Sequence, residues 1–161
     1  MKEKIAKVLR EARDLMNDSG AHWTRYDLRT RIFDQEEGTY APDEYAYCSA
    51  GAIFSVTGAP LDKLVSFDEA ERIVYANKEK SDELLKEGDV ELRTETVKAL
   101  YEEVLRSGFV PPVWHTAPPT EYDKWLWTIT SWNDRGDREW PDVAEMFENA
   151  AASVEAGDGL V

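Results

Sequence analysis

The chain has 161 residues, 42% of them hydrophobic and 32% charged, which is enough apolar material for one folded domain with its own core. Its 33 Asp/Glu against 19 Lys/Arg leave a net charge of −14, and this argues against direct nucleic-acid binding, which depends on neutralising phosphates. The single cysteine excludes an internal disulfide framework and fits a reducing cytoplasm, and no apolar run reaches the length that crosses a bilayer.

The basic start, Met1-Lys2-Glu3-Lys4, lacks the apolar block of a secretory signal. Ile5, Val8, Leu9, Ala12, Leu15 and Met16 then recur at helical spacing and predict an amphipathic helix that stops at Gly20. A membrane-surface role for it is disfavoured by acidic residues on the polar face and by the lack of a second anchor. Residues 21–43 read as irregular or briefly helical. Thr24-Arg25-Tyr26-Asp27 suits a capped turn, and 36–42 suits a loop whose alternation is too weak for a hairpin. Asp43 offers an N-cap for a helix over 44–56, ended by Gly58 and Pro60. Its middle, Cys48-Ser49-Ala50-Gly51-Ala52, is made of small side chains. Gly51 costs that helix about 1 kcal/mol relative to Ala, a cost more easily tolerated if another segment packs against it.

Ser66-Phe67-Asp68-Glu69 reads as a capping box opening a helix to about residue 77, carried by Ala70, Ile73 and Val74. The charged stretch 78–91 suits a short helical turn and is the segment expected to flex most. Thr94 is placed to cap a helix with Val97, Leu100, Tyr101, Val104 and Leu105 on one face. Pro111-Pro112 and Pro118-Pro119 bracket an extended connector carrying Trp114 and His115. Thr120 opens a helix with Trp125, Leu126, Ile129 and Trp132 at helical spacing, and Arg135-Gly136-Asp137 is a turn. A last helix starts near Pro141 with Val143, Phe147, Ala150, Ala151 and Val154 facing inward, and residues 157–161 fray. The expected fold is all-α: a compact irregular or orthogonal bundle of about five to six helices in a single domain over 1–161.

Little of this looks like chemistry. Cys48 lies near a predicted helix start, where the dipole favours thiolate. His22 or His115 could serve it as base, with Asn133 or Asp134 to orient the imidazole. The same cysteine reads more simply as a small buried side chain among Ala and Gly, and no family signature of a nucleophile surrounds it, so no catalytic residue is assigned. Two His and one Cys without ligand spacing, and no calcium, phosphate or dinucleotide loop, leave no metal and no cofactor expected.

Trp125 and Trp132 read as core, whereas Trp127, Trp114 and Trp140 lie off that face or in connector and helix-start positions. Exposed indoles would suit a protein interface or a stacking pocket, and an aromatic-rich core accounts for them otherwise. Asn133-Asp134 fits a helix end, where Asn takes a left-handed conformation and Asp caps the next segment. The functional alternative is that their amide and carboxylate converge with Arg25 and Tyr47 on a small polar ligand.

Trp23-Thr24-Arg25, Cys48-Ser49-Ala50-Gly51-Ala52-Ile53 and Trp132-Asn133-Asp134, with Val143-Ala144-Glu145-Met146-Phe147 beyond them, resemble a group of short uncharacterised proteins from actinobacteria and their phages. The likeness spans most of the chain, with residues 60–118 carrying little of it. Arg138-Glu139-Trp140-Pro141 stands where that pattern implies an Arg-Thr-like helix cap. The resemblance implies no activity. It implies a phage or accessory-genome setting, in which small acidic proteins often bind host factors.

Charge is uneven: residues 1–32 carry eight Lys/Arg and five Asp/Glu, a net of +3, and the remainder a net of −17. The first expectation is therefore a non-enzymatic, cytoplasmic, acidic interaction protein that binds a host or defence protein, with a basic partner suiting its charge. The second is a protein that binds or sequesters a nucleotide or other planar metabolite, and the third is a cysteine hydrolase. The residues singled out for ligand or partner binding are Trp23, Arg25, Tyr47, Cys48, Trp132, Asn133 and Asp134.

Overall fold

The periodic apolar positions near the two ends of the chain find each other. Helix α1 (Lys2–Met16) buries Ile5, Val8, Leu9, Ala12 and Met16, and packs along α7 (Trp140–Ala156), which buries Val143, Phe147, Ala150 and Ala151. The computed structural model describes residues 1–113 and 120–157, so Trp114, His115, Pro118-Pro119 and the tail beyond Gly157 lie outside the described residues. Helices α5 (Val90–Arg106) and α6 (Glu121–Asn133) pack on each other, and α5 also packs on α1 and α7. The short helix α2 (Ser49–Val56) is wedged among α1, α5 and α6 with Ala52, Ile53 and Phe54 buried. Apolar side chains from all of these join one continuous core.

Local capping explains several boundaries. Thr120 Oγ1 accepts from the Asp123 amide at 3.1 Å and starts α6 as expected. At α7 the departure from the resembled pattern is made good chemically. The Glu139 and Asp142 side chains form a reciprocal capping box, with Pro141 in the first turn. The basic surplus near the chain start is taken up across α1 and α7. Arg10 donates to Glu148 at 3.1 and 3.2 Å and to Glu155 at 2.6 Å, and Arg13 donates to Glu148 at 2.6 Å.

The all-α expectation is overturned. The described residues hold seven helices and two antiparallel two-stranded sheets, a mixed α and β fold. Strands β1 (Arg29–Asp34) and β2 (Thr39–Tyr47) form a hairpin across the stretch expected to be loop and helix start. Its register explains the misreading. Arg31 faces Tyr45 but Phe33 faces Tyr40, so residues 41–44 bulge opposite Ile32 and break the two-residue alternation. Asp43, expected as an N-cap, sits in that bulge at φ 57. Helix α2 is capped instead by Cys48.

The capping-box helix at residue 66 is a second hairpin. After the one-turn α3 (Leu61–Leu64), strands β3 (Val65–Phe67) and β4 (Ile73–Tyr75) pair antiparallel. Asp68 Oδ1 accepts from the Ala70 and Arg72 amides at 2.9 Å each, closing a turn in which Glu71 takes φ 61. A Ser-x-x-Glu spacing thus coincided with an Asx-type turn. The two hairpins meet through the Tyr45–Phe67 ring stack and the Arg31–Glu71 ion pair.

Within 78–91, α4 (Lys78–Leu84) is a helix capped by Asn77. The cap of α5 is Asp89, not Thr94, whose hydroxyl donates to the Val90 carbonyl inside the helix at 2.8 Å. Arg93, 1% exposed, has no carboxylate partner in a salt bridge among the described residues. Its guanidinium donates to the carbonyls of Thr57, Leu85 and Glu87 and to Thr57 Oγ1. Thr57 and Leu85 are the C-caps of α2 and α4, so the charge rests on the negative ends of two helix dipoles. No helix among the described residues is long and apolar enough to cross a membrane.

Candidate functional site

The three motifs singled out in the sequence do meet. The C-terminal turn of α6 brings Asn133, 0% exposed, against the N-terminus of α2 and the segment that carries Trp23. Asn133 Oδ1 accepts from Trp23 Nε1 at 2.9 Å, the Ser49 amide at 3.1 Å and Ser49 Oγ at 2.7 Å. Its Nδ2 donates to the Thr24 carbonyl at 3.1 Å and to Asp134 Oδ1 at 3.0 Å. Asp134 Oδ1 also accepts the Tyr26 amide at 2.8 Å, which holds Tyr26 at φ 73 with the residue 75% exposed. One side chain therefore ties together three segments far apart in sequence, and its hydrogen-bonding capacity is used in doing so.

Two arginine–tryptophan stacks flank this clasp. Arg25 lies 4.7 Å from the Trp23 ring centroid and donates to the carbonyls of Arg135 and Arg138. Arg138 lies 4.2 Å from the Trp132 centroid and donates from Nε to the Trp132 carbonyl at 3.1 Å. Tyr47, buried, contributes backbone: its amide donates to His22 O at 2.8 Å and its carbonyl accepts the Thr24 amide at 3.0 Å. Burial pushes the Tyr47 phenol up from its ordinary value.

Cys48 is a cap. It is 3% exposed, and its Sγ accepts the Gly51 amide at 3.4 Å. Loss of hydration pushes the thiol up to about 12, so the helix-start effect that favours thiolate is outweighed. No imidazole among the described residues hydrogen-bonds to it, and His115 lies outside them. Arg25, Tyr47, Asn133 and Asp134 hydrogen-bond to backbone and to one another, and of the four only Asp134 also borders an open cleft. No group of three or more His, Cys, Asp or Glu among the described residues could hold a metal.

Sequence reasoning missed Ser49 as the partner of Asn133, although it lies inside the motif containing Cys48. It also missed two open clefts at the C-terminal end of α6, although Trp132 lines one and Asp134 the other. One, of about 350 Å³, lies between the end of α5 and the start of α7 and is lined by Phe109, Trp132, Arg135, Arg138, Glu145 and Met146, among others. The other, of about 480 Å³, is walled by Phe109, Val110, Pro112, Trp127, Asp134 and Arg135 with two hydroxyl side chains. The displacement of Trp127 from the core-facing stripe of α6 was the one available signal.

A family model described as "Family of unknown function (DUF6197)" matches residues 1–153, and the chain belongs to that family. No curated protein and no solved structure matches it.

Proposed function

We propose that this member of a family of unknown function is a non-catalytic binding protein that meets a basic protein partner through its acidic surface. The observation that carries this reading is the β1–β2 arm. Asp34, Glu36, Glu37, Asp43 and Glu44 stand on it, and none joins a salt bridge among the described residues, whereas Arg10 and Arg13 are held by acids of α7. Phe33 is exposed and packs edge-to-face on Tyr40 at 5.3 Å, an apolar anchor amid the carboxylates. The motif cluster supports the same reading, because its nucleophile is buried and its polar groups are committed to the fold. The resemblance to actinobacterial and phage proteins suggests a cytoplasmic host or defence protein as the partner.

The test is affinity capture from host lysate with two baits, the wild-type chain and a variant with Glu36, Glu37 and Glu44 changed to Gln and Asp43 to Asn. A recurring basic protein retained by the wild type, released by salt and missed by the variant is the expected result. Repeated capture of nothing, or of a partner that the variant holds equally well, would remove the proposal.

A further inference from the structure

The clasp leaves one fixed cation uncommitted. Arg138 is held by its guanidinium carbon lying 4.2 Å over the Trp132 ring centroid and by its Nε hydrogen bond to the Trp132 carbonyl at 3.1 Å. Among the described residues its two terminal nitrogens donate to nothing, and it joins no salt bridge. A guanidinium held at Nε with its two terminal nitrogens unused keeps a pair of donors of the kind that recognises carboxylate or phosphate oxygens. Burial has already removed part of its hydration, which lowers its pKa from the ordinary value, with Arg135 adding like-charge repulsion and Asp142 and Asp137 opposing it.

Arg138 and Arg135 line the same cleft. Arg135 and Phe109 also line the neighbouring cleft, so the two clefts adjoin at a cationic and an aromatic side chain, and the second adds the apolar walls of Val110, Pro112 and Trp127 and the carboxylate of Asp134. Two carboxylates border the first cleft. Asp142 accepts the Glu139 amide at 2.9 Å and is thereby turned to the start of α7. Glu145 is exposed on the rim. Each cleft, at about 350 and 480 Å³, falls within the range of small-molecule sites.

We propose that these adjoining clefts bind a small planar organic anion, with its phosphate or carboxylate on the terminal nitrogens of Arg138, its ring system against Phe109, and Arg135, whose Nε pairs with Asp137 at 2.8 Å, adding positive charge beside it. The site is separate from the acidic arm, so it stands or falls independently of the partner reading.

The test is an NMR titration of the full chain, isotope-labelled, with adenosine 5′-monophosphate and indole-3-acetate as ring-bearing anions, and adenosine and inorganic phosphate as the halves. At least one ring-bearing anion should bind at about 1 mM or tighter, shifting the Arg138 Nε–H and Phe109 signals, with each half at least about tenfold weaker. R138Q and R135Q should each weaken that binding, while the Trp23 indole and Asn133 amide signals stay in place and certify an intact clasp. R135Q alters an exposed side chain and guards against a folding defect in R138Q. Three outcomes would overturn the proposal: no shift with either ring-bearing anion, phosphate alone binding as well as they do, or binding undiminished in both variants.

Discussion

Asn133 shows how much of a small protein can rest on one amide. Asp at the same position keeps the shape and the acceptor oxygen but replaces the donating nitrogen with a second oxygen. That oxygen would face the Thr24 carbonyl and the Asp134 carboxylate, both now accepting from Nδ2. Leaving acceptors opposed in a buried site costs several kcal/mol. Asn133→Asp should therefore destabilise the protein by about 3 kcal/mol or more, read as a lower urea midpoint at unchanged slope. A midpoint within error of the wild type would mean that the clasp does not hold the three segments together.

At the level of elements, the decisive contact is the approach of α2 to the chain entering β1. A Cβ built on Gly51 would lie 1.8 Å from the Leu28 carbonyl oxygen, and that obstacle is backbone, which cannot rotate away. The helix-propensity cost of glycine is thus accepted because any larger residue would push the hairpin off the helix. Replacing Gly51 with Ala gains about 1 kcal/mol of propensity but incurs overpacking at the severe end of its range. A net loss of at least about 2 kcal/mol in thermal or chemical unfolding is expected, and a stabilised variant would contradict the close approach. The Ser49–Asn133 hydrogen bonds lie on the same helix turn, so the loss should exceed that of an isolated surface change.

Over the whole molecule, the ion pairs joining α1 and α7 set an acid limit. Hydrogen bonds from Arg10 hold the Glu148 and Glu155 carboxyls below their ordinary value of 4.5. A carboxyl whose folded pKa is depressed contributes stability above its unfolded value, and that contribution fades as pH falls through the folded one. The groups are roughly half exposed, so each contribution is modest and screened by salt. Between about pH 5 and 3 the wild type should lose more stability than E148Q, whose neutral side chain has no proton to gain. Parallel pH profiles for the two proteins would show the pairs to be without thermodynamic weight. Acid also relieves repulsion within a chain of net charge −14, which is why the comparison between variants is the informative quantity.

The long helices were legible because each carries its burial pattern locally: α1, α5, α6 and α7 repeat apolar residues at 3.6-residue spacing for several turns, and periodicity survives any surroundings. The two hairpins were not. Three-residue strands have too few positions to show alternation, the 41–44 bulge erases it where the strand is longer, and Ser66-x-x-Glu69 mimicked a helix start. The motif residues were found, but what they do was not, since Trp23, Ser49 and Asn133 meet only once α6 crosses the start of α2. By itself the sequence determined the helical faces, the acidic balance and the exclusion of familiar catalytic and metal motifs. The tertiary structure alone decided that Cys48 is a dehydrated cap and Asn133 a buried tie, and that the open cleft lies beside Arg138. Burial and hydrogen-bond partners are supplied by segments about a hundred residues away, and no local pattern encodes them.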